Sequence, residues 1–326
     1  MEGPLLRPLP CWRQRSGGLI MYQKPHHLAV MTSEVVELLA PIVSGLVLDA
    51  TFGAGGHARA LIESIPGVQI LALDRDPSVR CEVPRTRLIT SNFSALDEVL
   101  ATEGIDEIAG ALFDFGLSSD QLDDPDRGFS YHVGGPLDMR MGPDASVGAY
   151  ELVNDAPVAE LAAIIKRFGE ERFAQRIARA IEAARPIEDT TRLAGVVADA
   201  VPAPARRRGH PARRTFQALR IAVNDELDAI SRGIDAALAA LRPGGRIVVI
   251  SYHSLEDRIV KRRLARGATG CVCPPDLPVC GCGKSTELQL LTRGALKATP
   301  EETSVNRRAR SARLRAAAKV EGGDAA

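Results

Sequence analysis

Three apolar runs in this chain each end in an aspartate. Leu46-Val47-Leu48 runs into Asp49, Ile70-Leu71-Ala72-Leu73 into Asp74, and Gly110-Ala111-Leu112-Phe113 into Asp114. A carboxylate at the end of a buried strand can take ribose hydroxyls or accept from a reacting amine. Between the first two runs lies Ala50-Thr51-Phe52-Gly53-Ala54-Gly55-Gly56-His57-Ala58. Its glycines let the backbone turn sharply and approach a ligand that a Cβ would obstruct. Strand, glycine turn, helix and strand make one βαβ unit, with a nucleotide-type pocket at the carboxyl edge of a parallel sheet.

Two nucleotides fit that pocket. Gly53 to Ala58 satisfies G-x-G-x-x-[GA], and Asp74 lies near the offset of about 20 residues expected of a ribose-binding acid, so an NAD-dependent dehydrogenase is one reading. Asp49 argues for the other. Just ahead of the loop a carboxylate repels a pyrophosphate but suits the cationic amino-acid end of S-adenosylmethionine. Leu241-Arg242-Pro243-Gly244-Gly245-Arg246-Ile247-Val248-Val249-Ile250-Ser251 also resembles the turn and late strand of Rossmann-like methyltransferases. The methyl donor is the favoured ligand.

The elements that must position these residues follow from periodicity. Arg87 to Thr90 is a further strand, and Arg246 to Ser251 a late one. Between Asp114 and that late strand the βα alternation stops. Residues 116–216 show helical spacing and no convincing strand, with Phe173, Ile177 and Ile181 at i, i+4, i+8, and a helix over 216–241 follows. A crossover of that length is expected where an enzyme adds a substrate-binding lid. The expected organisation is α/β: a flexible extension over 1–24, a core over 25–115 and 217–326 with a basic C-terminal tail, and an inserted all-helical substrate-recognition domain over 116–216. Apolar residues make up 45% and charged residues 25%, as in a soluble globular protein. No run is long enough for a membrane span, and residues 1–24 lack the apolar core of a secretory signal, so a cytoplasmic location is expected. Net charge is zero, but Arg206, Arg207, Arg208, Arg213 and Arg214 crowd one loop and Arg307, Arg308, Arg310, Arg313 and Arg315 crowd the tail. Two such clusters in a neutral protein point to a nucleic-acid partner.

Several longer strings carry a resemblance. They are Asp49 to His57, Asp74-Arg75-Asp76-Pro77, Asn92-Phe93-Ser94, Gly116 to Leu122, Arg127 to Tyr131 and Gly135 to Met141. Beyond the helical stretch come Arg214 to Glu226, Ser251 to Arg258 and Asn306 to Ser311. From His27 to about Leu314 the chain resembles the bacterial 16S ribosomal RNA cytosine-N4 methyltransferase family (the RsmH/MraW type). The resemblance implies a Rossmann-like S-adenosylmethionine-dependent core in a monomer or homodimer, with 16S ribosomal RNA or the 30S subunit as partner. It implies methyl transfer to the exocyclic amine of a cytidine in the decoding region. Carried over by position, donor contacts fall on Gly55, Gly56, His57, Asp74, Phe93, Asp114 and Gln121. A non-catalytic RNA-binding assembly factor is the remaining alternative.

A cytosine amine is a poor nucleophile, because its lone pair is delocalised into the ring. Catalysis should come from positioning and from acceptors for the amine hydrogens. Asp114 is the candidate catalytic residue. Many amine methyltransferases carry Asp/Asn-Pro-Pro-Tyr/Phe here, whereas this chain has Asp114-Phe115-Gly116-Leu117. The stacking partner for the base therefore stays open among Phe115, Phe129 and Tyr131. Arg206, Arg213, Arg214 and Arg220 are the expected RNA contacts, with His253 as a phosphate contact, proton shuttle or structural histidine. Cys271, Cys273, Cys280 and Cys282 fall within twelve positions and suggest a structural zinc site rather than disulfides in a cytoplasmic protein.

Overall fold

The computed structural model describes residues 29–206, 209–270, 273, 281–282 and 285–320. The expected N-terminal extension over 1–24 lies outside them, as do Arg207, Arg208, Cys271 and Cys280.

In chain order the described elements are α1 (Thr32–Leu39), β1 (Ser44–Asp49), α2 (Gly56–Ser64), β2 (Gly67–Asp74), β3 (Thr86–Thr90), α3 (Leu96–Glu103) and β4 (Ile108–Asp114). Eight helices follow: α4 (Ser119–Asp123), α5 (Ala149–Asn154), α6 (Val158–Gly169), α7 (Ala174–Ala183), α8 (Thr190–Ala200), α9 (Ala203–Arg206), α10 (Arg213–Asn224) and α11 (Glu226–Ala240). The chain closes with β5 (Leu241–Ser251), α12 (Ser254–Ala268), β6 (Leu288–Leu290), α13 (Pro300–Val305) and β7 (Arg313–Lys319).

The seven strands form one sheet in the order β3-β2-β1-β4-β5-β7-β6. β1 to β5 run parallel, and β7 is antiparallel to both β5 and β6. Successive side chains alternate between two covered faces, as helices on both sides of a sheet require. Val47 and Leu112 pack with α1 and α2 on one face, while Leu48 and Phe113 pack with α3 and α11 on the other. The chain winds outward from β1 to β3, then returns to place β4 on the other side of β1. This switch of direction opens a crevice at the carboxyl ends of β1 and β4. A mixed sheet of this order with its antiparallel seventh strand is the Rossmann-like methyltransferase fold.

Three expectations need correction. The helix expected over 216–241 is two. Asp225 adopts a left-handed conformation (φ 49°) between α10 and α11, because the two halves face different partners. Phe216, Leu219 and Val223 of α10 join a core formed by helices α5 to α8, whereas Ile230, Ile234 and Ala237 of α11 lie on the sheet. The helical cluster thus includes α10 through Asn224, whose side chain accepts from Met141 N (2.8 Å) and donates to Met139 O (2.7 Å). Second, β5 begins at Leu241 rather than Arg246. It pairs Ile108 with Leu241 and Gly110 with Arg246, so residues between them bulge, with Gly244 at φ 75°. Third, the basic tail is no free tail: Arg313 and Arg315 belong to β7 and both bind Asp257 of α12, Arg315 Nε at 2.7 Å.

Candidate active site

The crevice at the switch point holds a cavity of about 480 Å³. Its floor is the turn after β1. Gly53 (φ 52°) and Gly55 (φ 74°) make the bend, and a Cβ on Gly55 would meet the Phe52 ring at 2.7 Å. Around Gly53 nothing stands within 4 Å of where a Cβ would sit, so backbone is presented openly there. Gly56, His57, Asp74, Phe93, Asp114 and Gln121 all face the cavity, and Gly55 is buried behind the bend.

Asp74 closes the end of β2. Its Oδ2 accepts from Gly53 N at 2.8 Å and its Oδ1 from Asp76 N at 2.9 Å, which leaves one lone pair on each oxygen. Burial pushes its carboxyl above the ordinary range against the pull of those amides. Asp76 behaves oppositely. Despite some burial, hydrogen bonds from Ser78 and Arg127 hold it down at about 2. Arg127 Nη1 lies 2.6 Å from Asp76 Oδ2, and Gln121 Nε2 lies 3.3 Å from the same oxygen. Gln121 Oε1 also accepts from Ser118 N, so this side chain braces the cavity wall at both ends.

Asp114, at the end of β4, is held on both oxygens. Tyr252 Oη donates to Oδ1 at 2.7 Å, and His57 Nε2 lies 3.3 Å from Oδ2. Its backbone N–H donates to Thr51 Oγ1 at 2.7 Å. Burial and the Asp114 charge push the Tyr252 hydroxyl well above its ordinary range, so it remains a donor. Burial alone would lower the His57 imidazole. The hydrogen bond and charge of Asp114, with Asp49 behind it, outweigh that and raise it.

Asp49 itself corrects the sequence reading. It is 1% exposed beneath the bend, bound to Thr51 N at 3.3 Å, rather than facing a ligand's cationic end. Burial raises its carboxyl to about 6, with His57 pulling the other way.

The expected RNA contacts divide. Arg206, Arg213 and Arg214 are exposed, and Arg213 stands at the cavity rim. Arg206 Nε also donates to Val201 O (2.8 Å) and Arg214 Nη1 to Glu170 O (3.2 Å). Arg220 does not face outward. Its guanidinium grips Glu226 with two bonds of 2.8 and 2.9 Å, and the α10–α11 junction turns it inward. His253 is turned inward too. As the N-cap of α12 its Nδ1 accepts from Glu256 N, and its Nε2 lies 3.0 Å from Glu256 Oε1. Glu226, His253 and Glu256 bring donor atoms within 4.8 Å of one another, and Arg220 supplies positive charge there. Cys273 and Cys282 are described but their expected partners Cys271 and Cys280 are not among the described residues.

Sequence reasoning missed Tyr252, Glu226 and Glu256. Tyr252 and Glu256 lie in the Ser251 to Arg258 string, where His253 drew attention as the titratable group. Glu256 Oε2 accepts from the backbone amides of both Tyr252 (2.7 Å) and His253 (3.1 Å), fixing the turn that aims the Tyr252 hydroxyl. No periodicity signals such a turn.

Comparison with known proteins agrees with this geometry. The model of the MraW methylase family matches residues 24–320. A protein of Heliobacterium modesticaldum named "Ribosomal RNA small subunit methyltransferase H" is 47% identical over 309 residues, 90% of this chain and 99% of that protein. Proteins of the same name from Geobacter sulfurreducens and Nitratidesulfovibrio vulgaris are 49% and 50% identical over 308 residues, each match covering 90% of this chain and 99% and 95% of theirs. The dehydrogenase and the non-catalytic readings fall away. With the switch-point cavity, the glycine bend and this match together, the chain belongs to the MraW methylase family and is an S-adenosylmethionine-dependent methyltransferase.

Proposed function

We propose that the protein methylates the exocyclic N4 amine of a cytidine in the decoding region of 16S ribosomal RNA, as naked RNA or within the 30S subunit, in the cytoplasm. The relatives' shared name supports the ribosomal substrate. The observation that carries the amine chemistry is Asp114, fixed on one oxygen by Tyr252 and on the other by His57 at the mouth of the glycine bend.

The residues present fit the methyl donor. The open backbone around Gly53, with Gly56, would cradle it while Gly55 sets the bend from behind, Asp74 would take ribose hydroxyls on its spare lone pairs, and Phe93 would lie against the adenine. Gln121 would act by bracing the wall. When bound, the donor supplies an electrophilic methyl on sulfonium sulfur. The protein's own work is placement. Asp114 keeps lone pairs free to accept an amine hydrogen, which orients the nitrogen and favours the charge that develops on it. Tyr252 and His57 stop the carboxylate from rotating away. The proton released on methylation passes to Asp114, beside the raised His57 imidazole.

We assign the helical cluster that follows β4 and ends with α10 at Asn224 to substrate recognition, with Arg206, Arg213 and Arg214 as phosphate contacts. Arg220 and His253 act instead within the cavity wall. The spacing of Cys271, Cys273, Cys280 and Cys282 supports a structural zinc site. Zinc in protein purified without chelator is the expected result, and its absence would remove that assignment. The function itself is tested by radiolabelled methyl transfer to unmethylated RNA and 30S particles, with the modified base mapped. Label on a cytidine N4 is expected. Label on another base or atom, or none, would refute it.

A further inference from the structure

From Tyr131 and Phe216 in the cavity wall a cluster of rings extends to the surface. Tyr131 stacks on His210 with centroids 4.5 Å apart and planes at 23°. His132 lies 4.4 Å from Tyr131 and meets His210 at 5.3 Å and 67°. Behind them Phe216 stands edge-on to Tyr131 at 5.5 Å. Phe216 is buried, Tyr131 half-buried, and both histidines are exposed. The cluster thus runs from the helical core out to solvent, and Tyr131, Phe216 and Arg213 share the cavity wall.

Phe115 and Phe129 are placed differently. Phe115 packs in a three-ring group with Phe93 and Phe113, and Phe129 sits in the core of the helical segment. Both border the cavity but are buried, at 4% and 5% exposure, whereas the Tyr131 group reaches solvent. Two histidine rings held in solvent contribute little to a core, whereas an exposed stack that shares the cavity wall with Arg213 suits a planar base on an anionic backbone.

We propose that the Tyr131–His210 stack, with His132 beside it, receives the base of an unpaired RNA nucleotide flanking the target. The proposal rests on the RNA reading above. A base whose amine must reach Asp114 has to leave its own stack, and its neighbour then loses a partner. Rings at the lip replace that partner, while Arg213 meets the adjoining phosphate. Base–aromatic stacking of this kind tolerates any base, because each has a π-face.

The test uses a short single-stranded oligoribonucleotide with 2-aminopurine beside a cytidine. Wild-type protein should quench the fluorophore on binding. Tyr131→Ala and His210→Ala should bind it roughly 5- to 150-fold more weakly and without quenching, as the loss of one stack predicts. Their salt dependence should keep the wild-type slope, because no phosphate contact is lost, whereas Arg213→Glu should flatten it. Tyr131→Phe should restore binding. His210 is exposed and gives up only a 3.3 Å bond from Ala212 N and its stack on Tyr131, so His210→Ala should stay folded and carries the test if Tyr131→Ala does not fold. Wild-type affinity and quenching in His210→Ala, with wild-type methyl transfer intact, would overturn the docking site and leave the RNA reading standing. A wild-type protein that neither binds nor methylates RNA would overturn both.

Discussion

Asp49 lies under the glycine bend without facing the cavity, and replacing it with asparagine tests that placement. Its carboxyl is raised from 3.8 to about 6 by burial, with the attraction of His57 already opposing the rise. A folded-state value above the unfolded one means that the native protein binds the extra proton between these limits. Stability from this group is therefore fully present below about pH 4 and declines as pH rises through about 6. A rise from 3.8 to about 6 corresponds to about 3 kcal/mol, since each tenfold change in proton affinity is worth about 1.4 kcal/mol. Asparagine carries no charge and keeps the oxygen that accepts from Thr51 N. Asp49→Asn should therefore match the wild type near pH 4 and exceed it by about 3 kcal/mol at about pH 8. For a chain of this length that is an unfolding midpoint about 4 °C higher. Thermal and urea unfolding across this range measure it, and donor affinity should not change. An unfolding gap that is constant with pH, or a wild type more stable at high pH, would refute the buried placement. A large loss of donor affinity would return Asp49 to the ligand's cationic end.

Other substitutions probe the cavity directly. Asp114→Ala should abolish most turnover, seen as a fall in kcat at saturating donor and RNA; near wild-type turnover would end its role. Gly55→Ala forces a side chain into a left-handed bend and against Phe52, so donor affinity should fall at least tenfold by roughly 1.4 kcal/mol or more of strain and displacement, read by calorimetry. Arg127→Ala removes a partner of a carboxyl held at about 2; the folded-state value is depressed, so its stabilisation is present above about pH 4 and lost as pH falls toward 2. The variant should unfold earlier than the wild type at neutral pH, and the two should converge in acid. Arg213→Glu should weaken RNA binding across sequences and reduce its salt slope by about one or more, measured by filter binding.

The parallel core was legible because parallel strands are buried on both faces and read as apolar runs. Leu46 to Asp49, Ile70 to Asp74 and Gly110 to Asp114 each emerged as strands ending in a carboxylate. The glycine bend was equally legible, since glycine takes the left-handed conformations at 53 and 55 without strain and a side chain at 55 would meet the Phe52 ring. What escaped depends on tertiary partners. Arg313 to Lys319 holds three alanines and no alternation, and becomes a strand because β5 and β6 flank it. The break at Asp225 interrupts an otherwise continuous helical pattern, because α10 and α11 pack on different cores. Arg220 looked like part of a basic surface until Glu226, just past that break, turned it inward. Asp49 shares its strand-end pattern with Asp74 and Asp114, and only the path of the bend above it separates a buried carboxylate from two that face the cavity.

A crystal of the protein grown with S-adenosylhomocysteine tests the central claim most directly. Density for the ligand is predicted across the bend at Gly53 to His57, with its ribose hydroxyls within hydrogen-bond reach of Asp74. Density elsewhere on the molecule, or a bound ligand that leaves Asp74 without contact, would contradict it.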